Sequence, residues 1–139
     1  MTLQEILLPL FVEVILSFGL LFWLGPLRAR DVRAGLRLED VALREPKWSP
    51  GTQQVAYAFS NQFELPILFY VLTILAYVTH LAGLVFVVLA WIFVIFRLLH
   101  AYVHVTSNVV RWRGALYGVA ALALAINWVI YMVEVLTLL

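Results

Sequence analysis

The chain has 139 residues, 65% of them hydrophobic and only 12% charged, whereas an ordinary soluble domain carries about 25% charged residues. That leaves no room for a separate soluble domain, and no nucleic-acid partner is expected. The chain has no cysteine, which excludes disulfides, thiolate metal sites and a cysteine nucleophile.

Four apolar stretches predict helices over about 3–24, 53–78, 81–106 and 113–138, each long enough to cross the ~30 Å hydrocarbon core of a bilayer. The fold class read from them is all-α, a single four-span membrane domain over residues 1–139. The first helix is apolar all round except for Glu13 and Ser17, and Gly25-Pro26 is expected to end it. It has no basic residue before it, carries Glu5 instead, and is too long for the apolar region of a signal peptide. A polar loop follows over 25–52, with room for one short interfacial helix around 38–43, limited by Gly35 and Pro46. Ser49-Pro50 reads as a helix start, with Ser as N-cap and Pro in the first turn. Pro66 cannot bond to the carbonyl of Gln62 and should kink the second helix. Residues 79–83 form a tight turn, which makes the second and third helices antiparallel neighbours. Trp23, Trp48 and Trp112 fall near membrane boundaries, as interfacial anchors do.

All nine Lys and Arg residues fall on one side of this topology. Arg28, Arg30, Arg33, Arg37, Arg44 and Lys47 lie in the first connection, Arg97 toward the same end of the third helix, and Arg111 and Arg113 in the last connection. The positive-inside rule then makes both basic connections cytoplasmic and places both termini on the far side of the membrane.

Ionisable groups within the hydrocarbon cost roughly 2.5–3.5 kcal/mol at a helix centre and usually face the bundle interior. The spacing here agrees. Tyr57, Asn61 and Glu64 share one helix face, as do Arg97, His100 and His104, and as do Arg113 and Tyr117. All fall in the cytoplasmic half of the bilayer, and a structural Glu64–Arg97 ion pair is expected to offset the burial of each charge. His100-x-x-x-His104 has metal-pair spacing, but no motif supplies a third ligand and no metal is expected. Glu13, in mid-membrane without an obvious partner nearby in sequence, reads either as reaching a polar group on another subunit or as a protonated carboxyl.

These residues in this order resemble the MAPEG superfamily, the membrane-associated proteins in eicosanoid and glutathione metabolism. The likeness covers nearly the whole chain. It rests on Gly25 with Arg28-Ala-Arg30, on Asn61-x-x-Glu64 with Pro66, on Arg97-x-x-His100-x-x-x-His104, and on Arg113-x-x-x-Tyr117. The segment from Asn61 to Tyr70 is most similar to the small bacterial members, which implies a bacterial inner membrane as the location. The resemblance implies a homotrimer with glutathione as cosubstrate, bound between subunits in the cytoplasmic half of the membrane. It implies that Asn61, Glu64, His100, His104, Arg113 and Tyr117 contact glutathione, with Arg28 contributing from the loop. Arg113 and Tyr117 would be catalytic. The activity implied is a glutathione-dependent transferase or peroxidase acting on a lipophilic electrophile or lipid hydroperoxide that enters from the surrounding lipid. The alternative is a non-catalytic lipid- or ligand-binding membrane protein, or a subunit of a membrane assembly. The family's glutathione-binding members carry basic residues where this chain has Tyr57 and Ser60, which favours weak glutathione binding.

Overall fold

The computed structural model describes residues 1–43 and 47–139. Its helices are α1 (Leu3–Arg33), α2 (Pro50–Asn61), α3 (Leu65–Val78), α4 (Leu84–Val105) and α5 (Val110–Leu138). α2 and α3 together make one span, so the described residues hold four helices long and apolar enough to cross a membrane. A 3₁₀ turn at Leu38–Val41 stands where the short loop helix is expected. Arg44 and Pro46, read above as a loop cation and a helix limit, lie outside the described residues.

α1 starts with a capping box. The Glu5 N–H donates to the Thr2 hydroxyl at 3.2 Å, and the Thr2 N–H donates to the Glu5 carboxylate at 2.7 Å. The helix does not stop at Gly25-Pro26 but runs on to Arg33, with Pro26 inside it. Pro26 removes the bond to the Phe22 carbonyl. Both residues are exposed, and at the edge of the apolar stretch water can satisfy that carbonyl, so the helix resumes. What ends α1 is Gly35, whose φ of +114° closes a Schellman turn. The Leu36 N–H bonds to the Asp31 carbonyl and the Gly35 N–H to that of Val32, both at 3.1 Å.

The loop is fastened back onto this extension. The Asp31 carboxylate accepts the Ser49 N–H at 2.9 Å and the Ser49 hydroxyl at 3.0 Å, while the Thr52 and Ser49 hydroxyls lie 2.9 Å apart. Ser49 is the N-cap residue of α2 and Pro50 opens the helix, but the Ser49 side chain bonds to Asp31 rather than to the helix amides.

Pro66 does more than kink the second span: the helix is interrupted over 62–64 and restarts at Leu65. The tight turn at 79–83 is closed by His80 in the left-handed region (φ 59°), with the Leu81 N–H bonded to the Ala76 carbonyl at 2.9 Å. Across that turn α3 meets α4 through large side chains, the Phe69 and Phe93 rings lying 4.8 Å apart. Packing is most extensive between α4 and α5, and Ala90 and Ala101 of α4 and Ala120 and Ala123 of α5 are buried. Small residues let membrane helices approach and gain van der Waals contact, since lipid tails remove the hydrophobic drive between them. α5 is also pinned by polar bonds, from Asn127 to the Phe86 carbonyl (3.3 Å) and from the Trp128 indole to the Leu68 carbonyl (3.2 Å). The outer surface is apolar: Ile15, Phe22, Ile74, Leu122 and Val129 are among its exposed side chains. The chain is an integral, multi-pass membrane protein.

Candidate functional site

The break between α2 and α3 places the site. A cleft of about 270 Å³ is lined by Asn61, Glu64, His100, His104, Val110, Arg113, Gly114 and Tyr117. Six of the residues singled out in the sequence therefore meet in one place. Asn61 and Glu64 come from the end of α2 and the break, His100 and His104 from one face of α4, and Arg113 and Tyr117 from the first turns of α5. The aromatic rings pack on one another. His100 lies 5.7 Å from His104 and 5.6 Å from Tyr117, centroid to centroid.

Arg113 is held by a residue that the sequence did not single out. Its Nη1 donates to Asn108 Oδ1 at 2.7 Å. Asn108 sits in the left-handed region (φ 52°) of the α4–α5 connection, with its N–H bonded to the Val103 carbonyl at 2.7 Å. Asn tolerates that conformation better than other side chains do. The one available signal was an Asn in a short connection five residues before a site arginine.

The Arg97 side chain does not line the cleft but lies behind it, wholly buried. Its carboxylate partner is Glu13, not Glu64: Arg97 Nε stands 4.0 Å from Glu13 Oε1, and Glu13 is also wholly buried. Glu64 is exposed on the protomer surface, because the helix interruption turns it out toward the cleft mouth. Arg97 Nη2 donates to the Asn61 carbonyl at 3.4 Å, and its guanidinium carbon lies 5.7 Å from the centre of the Tyr117 ring. Glu13 thus finds its polar partner within the same protomer.

Arg28 is not in the cleft. It lines a separate cavity of about 430 Å³ with Val41, Trp48, Gln53, Ala56, Tyr57, Phe59 and Ser60, and its guanidinium carbon lies 5.2 Å from the Trp48 ring centre. Tyr57 belongs to this second cavity and is 54% exposed. The spacing that aligned it with Asn61 and Glu64 assumed one continuous helix, and the break ends that register after Asn61.

The cleft is rich in donors. Arg113 brings a fixed positive charge and Asn61 an amide. The His100 and His104 rings keep buried Nδ1 atoms with no hydrogen-bond partner among the described residues, as is also true of Asn61 Oδ1. The first turn of α5 adds the positive end of a helix dipole. Such a lining, with Glu64 among it, suits a ligand that carries an anionic group together with polar groups of its own.

A family model described as the MAPEG family matches residues 6–133. Neither curated proteins nor solved structures provide a match to the chain.

Proposed function

The chain belongs to the MAPEG family, and from that premise we propose that it is a glutathione-dependent transferase or peroxidase acting on lipophilic electrophiles or lipid hydroperoxides. The observation that carries this reading is the convergence of Asn61, Glu64, His100, His104, Arg113 and Tyr117 on one cleft. Glutathione, when bound, supplies the sulfur nucleophile. Arg113 is the group that favours the thiolate, because a fixed cation close to a thiol lowers its pKa toward working pH. Tyr117 and Asn61 orient the ligand by hydrogen bonding, and Glu64 at the cleft mouth is placed for an ammonium group. The lipophilic partner arrives from the bilayer that the apolar outer surface meets.

The functional unit on this reading is a homotrimer. Glu64 is exposed on the protomer surface within the second membrane span, where a second copy of the chain would shield it from lipid. The Arg28 cavity then supplies a further cation to a ligand bound between copies. Native mass spectrometry from mild detergent is expected to show a trimer, and monomer alone would overturn this assembly. On this reading both termini face away from the cytoplasm, which the Lys and Arg distribution supports. Cysteines introduced at Leu43 and Thr79 should label from opposite sides of the membrane, and labelling from one side would refute the orientation.

The test of function is calorimetry. Glutathione titrated into the detergent-solubilised protein should bind weakly, because Tyr57 and Ser60 offer no charge-assisted bonds, each worth about 1.5–3 kcal/mol. No heat, and no conjugation of a generic electrophile at millimolar glutathione, would remove the catalytic reading.

A further inference from the structure

Glu13 lies on α1 and contributes nothing to the lining of the cleft, yet its charge reaches the cleft through Arg97. Both side chains are wholly buried and stand at ion-pair distance, 4.0 Å. Arg97 then touches two walls of the cleft. Through Nη2 it holds the carbonyl of Asn61, the last residue of α2. Its guanidinium also lies over the ring of Tyr117 on α5, 5.7 Å from the ring centre, and that ring in turn meets His100.

The orientation of this guanidinium is not secured by a full set of hydrogen bonds. Nε and Nη1 have no hydrogen-bond acceptor among the described residues, and neither Glu13 carboxylate oxygen accepts a hydrogen bond among them. What holds the group in place is the negative charge on one side and the aromatic face and the carbonyl on the other. A buried guanidinium without its counter-charge moves toward the nearest water. Here that movement leads into the polar cleft, away from the Asn61 carbonyl and from behind Tyr117. Positioning at this level decides whether a site is tight or loose by an ångström.

We propose that Glu13 is a positioning residue for the cleft. Its carboxylate, acting through Arg97, holds the α2–α3 break and the Tyr117 ring in register with His100. The geometric part stands on its own; the consequence for glutathione rests on the functional reading above.

The test is NMR of protein labelled with ¹⁵N in its histidine rings and ¹³C in its tyrosine rings, in mild detergent. His80, in the turn at the opposite end of the bundle, is an internal control. In Glu13→Gln, which keeps the size and removes the charge, the ring signals of His100 and Tyr117 should shift or broaden while those of His80 stay in place. Glu13→Asp keeps the charge one methylene further back and should show the same change at reduced amplitude. Glutathione affinity should fall about tenfold in Glu13→Gln and recover in part in Glu13→Asp. If wild type binds no glutathione, the functional reading fails, and the ring signals still decide the positioning role. Unchanged His100 and Tyr117 signals in Glu13→Gln would overturn the proposal. Collapse of all three histidine signals in both variants would also overturn it, by marking Glu13 as a residue of the fold at large.

Discussion

Arg97→Gln is expected to destabilise the protein by about 3–5 kcal/mol, the cost of leaving a buried charge without its partner. The stranded charge is Glu13, which is wholly buried and has Arg97 at 4.0 Å. Glu13→Gln should be comparably damaging, because it strands Arg97 instead. Removing both charges together leaves no ion to solvate, so Glu13→Gln/Arg97→Gln should be less damaged than the two single changes summed. Contacting pairs couple by about 0.5–3 kcal/mol in such cycles. An apolar replacement, Glu13→Leu with Arg97→Met, should retain most of the stability, because well-packed apolar groups often replace a buried ion pair at little cost. The cycle of Arg97→Gln with Glu64→Gln should be close to additive, since Glu64 is exposed and Arg97 is paired elsewhere. Chemical or thermal denaturation in one detergent checks all of these. Additivity in the Glu13–Arg97 cycle would show that the pair carries no coupling.

Much of the architecture was legible because apolar length and charge placement are local signals. Four long stretches, a disturbance of the second span at Pro66, the Ser49-Pro50 start and the Leu38 turn all follow from the identities of a few adjacent residues. The gathering of the candidate site residues was legible for a related reason. The spacings between Arg97, His100 and His104 and between Arg113 and Tyr117 match the helical period, so each set was bound to share a face. What sequence alone did not reveal depends on how helices meet. Spacing within one helix says nothing of which carboxylate on another helix reaches Arg97, and Glu64 was the nearer guess by depth while Glu13 is the partner. Glu64 was grouped with Tyr57 and Asn61 on the assumption of one continuous helix, and the interruption at 62–64 takes it out of their register, while Tyr57, still on α2 with Asn61, lines the Arg28 cavity instead. The extension of α1 past Pro26 was hidden because proline is a helix breaker only where nothing else satisfies the freed carbonyl, and that depends on where the membrane ends. Asn108 was invisible because its role comes from a left-handed backbone and a bond to Arg113.

On the proposed function, Arg113→Ala is expected to lower the rate of glutathione conjugation roughly 10²–10³-fold, the usual effect of deleting one fixed donor beside developing or resident negative charge. The residue is suited to that role by its position more than by its type. It opens α5, where the helix dipole is positive, and it lines the cleft beside Gly114 and one turn before Tyr117. Its bond to Asn108 at 2.7 Å, made by Nη1, leaves the rest of the guanidinium for a ligand. Glutathione binding should weaken less than the rate falls, because the anion still meets the other donors of the cleft, whereas stabilisation of the thiolate is lost. Arg113→Lys keeps the charge but loses the planar fork and the fixed bond to Asn108, so its rate should lie between the two. Asn108→Ala should reduce the rate by a smaller factor and leave the charge in place, separating orientation from electrostatics. The measurement is initial rates against a generic electrophile at millimolar glutathione, with calorimetry on the same preparations. A rate in Arg113→Ala equal to wild type, in protein that still binds glutathione, would place the chemistry outside this cleft.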